Sequence, residues 1–279
     1  MYGKTIEIFL VNGTSESIVT AELSNWNGKA IKIPRNEVLS CDREDIKGAG
    51  VYFLFCQNED GKDSVYIGEA ENILDRLKQH ISSYESNGGG EQYYWNTAIS
   101  FAGRDLNKAD IRYLENRLVE ITKESARCEI LTKKTYKKTV MKESAIAVME
   151  EFISNIRVLL GALGYKILVP APQANEGTKY LYCKGNGIAE ATGFISSGGI
   201  TVLKGSRISD DVAPYFKEQQ KSYYKLRQKL ENDGTIVDKK FTRNYEFTAP
   251  SAASSVILGH NSNGKAYWKD DEGLSLKDM

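Results

Sequence analysis

Residues 50–68 read GVYFLFCQNEDGKDSVYIG, and this stretch decides the fold of the region around it. Val51 to Cys56 is aromatic and apolar, as a buried strand is. Asn58 to Lys62 is a cluster of turn formers, and Val65-Tyr66-Ile67 supplies the returning strand. Gly48-Ala49-Gly50 opens the hairpin. Tyr52 and Tyr66 therefore sit on adjacent strands joined by a short turn, so their rings can share one sheet face. Gly50 and Gly68 flank them and allow backbone or ligand to come close.

Downstream, apolar residues at Ile73, Leu77, Ile81 and Tyr84 predict a helix over about Glu71 to Tyr84, stopped by Asn87-Gly88-Gly89-Gly90. Tyr93 to Phe101 reads as another strand. A second helix is predicted from Lys108 to about Thr122, with Ile111, Leu114, Leu118 and Ile121 as its stripe. The order β-β-α-β-α is that of a small antiparallel α+β unit, expected over residues 48–135. Upstream, Thr5 to Val11, Ile18 to Leu23 and Ala30 to Ile33 predict strands. They read as a small sheet of its own over residues 1–47. A helix from Lys142 to Leu163 and a linker from Gly164 to Gly177, with Pro170 and Pro172, fill residues 136–177.

Residues 178–279 read as a separate α+β domain. Its strands are expected at Lys179–Lys184, Ala189–Ile195, Ile200–Leu203, Ile236–Phe241 and Tyr245–Thr248. A charged helix is expected over Tyr215–Asn232, and a short one over Ala252–Leu258, opened by Pro250-Ser251.

The whole chain sets the bounds. With 37 basic and 37 acidic residues among 279, a nucleic-acid partner can be argued only from where Lys and Arg are placed. Cys41, Cys56, Cys128 and Cys183 form no Cys-x-x-Cys pair, and His80 and His260 are the only histidines, which speaks against structural zinc. No apolar run is long enough to span a bilayer, and the N-terminus lacks a signal-peptide core, so a reducing cytoplasm is expected.

Phosphodiester hydrolysis requires a water to lose its proton, the charge on phosphorus to be stabilised and the leaving oxygen to be neutralised. A metal held by a carboxylate, one Arg and a polarised hydroxyl can share those tasks. Arg76 and His80, at i and i+4, stack on one helix face at the edge of its apolar stripe. Glu115 lies beside the stripe of the second helix, at the rim of a core. Singly, each has an ordinary reading: Tyr52 and Tyr66 as packing residues, Arg76 as a solvated helix charge, His80 as a satisfied surface or core residue, Glu115 as part of a helical ion-pair face with Arg112 and Arg117.

Together, the spacing resembles that of the GIY-YIG nuclease family. The two name-giving motifs stand here as Gly50-Val51-Tyr52 and Tyr66-Ile67-Gly68. Arg76 follows the second Tyr by ten residues, as in the family. His80 matches a His found in some members, and Tyr113-Leu114-Glu115 resembles the position of the family Glu. The resemblance covers about Gly48 to Arg127. It implies a metal-dependent DNA endonuclease in which Tyr52 acts as general base and Glu115 holds one Mg²⁺ or Mn²⁺. Arg76 would stabilise the phosphate charge, Tyr66 would orient the phosphate or the base, and His80 would assist. Two departures stand out: Val51 replaces Ile in the first motif, and residues 128–135 hold no equivalent of the Asn that the family places after the Glu helix.

Val202-Leu203-Lys204-Gly205-Ser206, Ser251-Ala252-Ala253, Asn263-Gly264 and Trp268 resemble a domain of unknown function attached to GIY-YIG modules in bacterial proteins. The Asn-Gly-x-x-x-Trp end is also similar to domains that accompany restriction and methylation enzymes. Candidate DNA contacts are Lys133, Lys134, Lys137 and Lys138, directly after the catalytic unit. Lys225, Arg227 and Lys229, with Tyr223 and Tyr224 nearby, are further candidates. A solvated connector and a solvated helix face are the alternatives. The expected substrate is double-stranded or branched DNA. The competing expectations are a non-catalytic DNA-binding or scaffolding protein that keeps the fold, and an RNA-directed nuclease.

Overall fold

The computed structural model describes residues 2–57, 63–85, 93–125, 127–133, 140–185, 189–219 and 221–278. The turn at Asn58 to Lys62, the stop at Asn87 to Gly90, and Lys134, Lys137 and Lys138 lie outside the described residues. The chain is α+β and divides into two compact units, Met1–Pro170 and Ala171–Met279. Among the described residues, no helix is long and apolar enough to cross a membrane. All four cysteines are free thiols.

The first unit runs β1 (Ile6–Leu10), β2 (Val19–Leu23), β3 (Lys29–Pro34), β4 (Gly50–Gln57), β5 (Asp63–Ala70), α1 (Ile73–Glu85), β6 (Trp95–Ala102), α2 (Lys108–Ser125), β7 (Glu129–Ile130) and α3 (Glu143–Ala162). All seven strands form one sheet in the order β1-β2-β3-β6-β4-β5-β7. The expectation that the N-terminal strands make a sheet of their own is corrected here. β3 pairs with β6 along its whole length, from Lys29↔Ala102 to Pro34↔Thr97, and carries β1 and β2 into the central sheet. The sheet is also mixed rather than antiparallel throughout, because β7 runs parallel to β5 at Ser64 and Val65.

Alternation along the strands gives the sheet two apolar faces. Val51, Phe53, Val65 and Ile67 pack with Leu114 and Leu118 of α2 and with Phe152, Ile153 and Ile156 of α3. Tyr52, Leu54 and Cys56 turn the other way, onto Ile73, Leu74, Leu77 and Ile81 of α1. The linker expected from Gly164 is also corrected in its first half. Ile167 and Leu168 are buried in the core of this unit, with the Ser125 hydroxyl donating to Ile167 O (2.5 Å) and Arg127 Nε donating to Val169 O (2.7 Å).

The second unit holds β8 (Leu181–Lys184), β9 (Glu190–Ser196), β10 (Gly199–Val202), α4 (Pro214–Gln219), α5 (Lys221–Asn232), β11 (Ile236–Val237), β12 (Lys240–Phe241), β13 (Tyr245–Phe247), α6 (Pro250–Leu258), α7 (Gly264–Tyr267) and β14 (Trp268–Lys269). Five of its strands form an antiparallel sheet, β13-β10-β9-β8-β14. The single strand expected over Ile236–Phe241 is instead a hairpin. Asp238 and Lys239 take positive φ (49° and 60°) and turn β11 back onto β12 without a glycine to announce it.

Candidate active site

The hairpin β4–β5 places Tyr52 directly opposite Gly68. A Cβ at position 68 would collide with the Tyr52 hydroxyl and ring, and one at position 50 would collide with the carbonyl of Phe101, so both motif glycines mark close approaches. The phenol of Tyr52 is thereby laid across the backbone of β5, only 1% exposed. Its ring stacks on that of Tyr66 (centroids 6.2 Å apart, 28° between planes).

From α1, two side chains one turn apart reach the same phenol. Tyr52 Oη and His80 Nε2 share a hydrogen bond of 2.9 Å, and Arg76 Nε donates to Tyr52 Oη at 3.4 Å. His80 is buried and packs edge-on against both tyrosine rings. Arg76 is half-buried, faces both phenols and donates Nη1 to Gln79 Oε1 (3.1 Å). Tyr52, Tyr66, Arg76 and His80, predicted from spacing, thus form one contiguous cluster.

Glu115 comes from α2, on the other face of the sheet. It is inside the buried stripe with Leu114 and Leu118 rather than at the rim, and is only 5% exposed. Its Oε2 is buried and has no hydrogen-bond partner among the described residues. Among the described residues, β7 pairs with β5 at Ser64 and Val65, and Thr132 Oγ1 accepts from Ile67 N and donates to Ile67 O (2.8 Å each).

Charge links the groups. Burial pushes the Glu115 carboxyl up to about 7; Glu69 adds to the rise, and Lys108, Arg112 and Arg76 oppose it. Burial also holds the Tyr52 phenol well above its ordinary value, helped by Tyr66 and opposed by Arg76. Tyr66 is raised by burial and, less, by Glu115, with Arg76 pulling the other way. Glu69, on β5 directly after the second motif, was not singled out from the sequence. Its carboxylate is nearly inaccessible and accepts from Lys108 Nζ (3.1 Å), with Arg112 Nε at 3.9 Å. A charged residue flanking the motif glycine was the available signal.

A buried carboxylate oxygen with no hydrogen-bond partner among the described residues is the kind of hard donor that a small divalent cation takes. Among the described residues no group of three or more His, Cys, Asp or Glu could hold a metal ion, so Glu115 would act with few protein ligands. Mg²⁺ commonly completes such a shell with water and phosphate oxygens.

For the second unit, comparison with known proteins gives one result. Residues 181–279 match DUF4357, a domain of unknown function. No curated protein and no solved structure matches the chain. In this DUF4357-like region, the motif residues noted above hold the fold together. Gly264 N donates to Ser251 Oγ (3.2 Å), Trp268 Nε1 donates to Pro250 O (3.1 Å), and Trp268 is fully buried.

The basic candidates of the DUF4357-like region divide. Arg227 is corrected: it is 1% exposed and cannot reach DNA. Its Nη1 donates to Ser209 Oγ (3.0 Å) and Val256 O (2.9 Å), and its Nη2 to Ser209 O, so the guanidinium satisfies a carbonyl in the last turn of α6. Lys239 pairs with Glu231 (2.7 Å), and Arg243 reaches Asp233 (3.7 Å). Lys225 is exposed and Lys229 half-buried. In the first unit, Lys133 is exposed.

Proposed function

We propose that the first unit is a metal-dependent DNA endonuclease of the GIY-YIG type. The observation that supports this most is the meeting of Tyr52, Tyr66, Arg76 and His80 in one cluster, with the orphaned Glu115 Oε2 in electrostatic range. Tyr52 takes a proton from the attacking water and passes its own to His80 Nε2 along the existing hydrogen bond. This relay answers the poor basicity of a buried phenol, because the proton need not remain on Tyr52. A bond forms from the water oxygen to phosphorus as the bond to the leaving sugar oxygen breaks. The leaving oxygen takes a proton from solvent, and His80 returns to solvent the proton it received. Arg76, half-exposed, meets the negative charge that builds on the phosphate oxygens. Tyr66 orients the phosphate. A Mg²⁺ or Mn²⁺ held by Glu115 would supply Lewis-acid polarisation. Thr132 lies in the segment where the family's Asn is missing, and it acts on the backbone of Ile67.

The test is Mg²⁺-dependent nicking of supercoiled plasmid by the purified full chain. Tyr52→Phe, Arg76→Ala and Glu115→Gln are each expected to lower the rate by about 10²- to 10³-fold. Nicking that survives all three would remove this site from the reaction.

A second reading, a DNA-binding protein that keeps the fold without cleaving, is favoured by the depth of the Tyr52 hydroxyl. DNA binding with no cleavage in Mg²⁺ or Mn²⁺ would select it.

A further inference from the structure

We propose that Tyr84 and Tyr94, backed by Arg35, form a platform on which an unpaired nucleobase of the substrate stacks. This deepens the proposed function and rests on it, since DNA is the ligand.

The platform is built by long-range pairing. Arg35 directly follows β3, whose last pair is Pro34↔Thr97, so it lands beside Trp95 at the start of β6. Its guanidinium carbon lies 4.7 Å from the Tyr94 ring centroid, 4.8 Å from that of Trp95 and 5.1 Å from that of Tyr84. Arg35 is only 7% exposed, and none of the described residues forms an ion pair with it. A buried cation normally has an acidic or hydrogen-bonding partner. Here it has three aromatic faces, and two buried donors in the same cluster, Arg35 Nη1 and Trp95 Nε1, have no hydrogen-bond partner among the described residues.

The two outer rings are open to solvent, Tyr84 at 40% and Tyr94 at 55%, with centroids 5.6 Å apart and planes at 69°, edge to face. An exposed Tyr94 face backed by a guanidinium offers a nucleobase a flat apolar surface, with Tyr84 standing beside it. A planar guanidinium suits this better than an ammonium would. Tyr84 also continues the Arg76–His80 row at i+4, roughly 12 Å along α1 from Arg76. A strand whose phosphate meets Arg76 therefore has the platform within a short reach.

The experiment measures binding of the full chain, in chelator, to a duplex carrying 2-aminopurine in a one-nucleotide bulge, against the same duplex fully paired. The wild-type chain is expected to quench the bulged probe and to prefer it. Tyr94→Ala is expected to weaken that preference about tenfold, Tyr84→Ala less, and Tyr94→Phe to retain it. Both tyrosines are exposed, so these variants test stacking without depending on the buried Arg35. Absence of quenching, or quenching that both alanine variants leave unchanged, overturns the platform. Nicking is scored separately with Mg²⁺. Nicking without platform-dependent quenching leaves the nuclease reading and removes this one; quenching lost in Tyr94→Ala, with no nicking by wild type, does the reverse.

Discussion

Two buried polar clusters, one in each unit, use similar side chains to opposite ends. Around Arg227 in the DUF4357-like region, the guanidinium's bonds close on the fold: two carbonyls and a hydroxyl accept from it. Around Tyr52 in the first unit, a guanidinium, an imidazole and two phenols are in contact with one another, while the nearby carboxylate Glu115 keeps an oxygen with no partner among the described residues. Burying polar groups costs free energy unless they are satisfied. A cluster that satisfies the backbone is explained by stability. One that leaves a buried carboxylate oxygen without a partner among the described residues is, under the proposed function, where a cation would bind. An arginine in the sequence does not reveal which kind it belongs to.

The largest effect expected from this contrast is at Arg227. Arg227→Met should lower the stability of the DUF4357-like unit by about 3–5 kcal/mol, because Val256 O would be left buried, and Ser209 O partly buried, without donors. Arg76→Ala should cost under about 1 kcal/mol while lowering nicking by about 10²- to 10³-fold. Chemical denaturation of both variants measures the difference. Equal losses would erase the distinction between the clusters.

A smaller effect sharpens the comparison through pH. Because burial raises the Glu115 carboxyl to about 7, its ionisation opposes folding of the metal-free chain. That stability is fully present below the ordinary carboxylate value and is lost as pH rises through about 7. It amounts to at most about 3 kcal/mol. Melting in chelator should therefore fall between about pH 4.5 and pH 7 and level off above, and Glu115→Gln should flatten this slope. Mg²⁺ should restore stability at the upper end, where the carboxylate is ionised and able to bind it. A slope unchanged in the variant would show that Glu115 does not titrate there.

The smallest expected effect concerns the basic side chains of α5. Replacing Lys225 and Lys229 with Ala should weaken DNA binding only severalfold and reduce its salt dependence by no more than about two phosphate contacts. Fluorescence anisotropy across a salt series reads both. A loss as large as that in the nicking test would move the principal DNA contact into the DUF4357-like region.

Much of the fold was legible from local pattern. The β4–β5 hairpin, the stripes of α1 and α2, and the Pro250 start of α6 follow from periodicity and from residues with restricted backbones, which act within a few positions of themselves. The cluster on α1 was legible for the same reason: Arg76 and His80 share a face by helix geometry, and Tyr52 and Tyr66 share one by hairpin geometry. Local pattern therefore set these elements, the motif residues they carry and the presence of a distinct C-terminal region.

Tertiary structure decided the rest. Period two fixes which residues of β3 share a face but not that its partner is β6, some seventy residues away, so the seven-stranded sheet and the burial of Arg35 under Trp95 could not be read locally. A charged residue beside an apolar stripe can turn to water or inward, and only the neighbouring elements decide which. They sent Arg227 inward to α6 and Glu115 into the core, its second oxygen without a partner among the described residues. Burial and pairing depend on residues distant in sequence, and for that reason they belong to the folded chain alone.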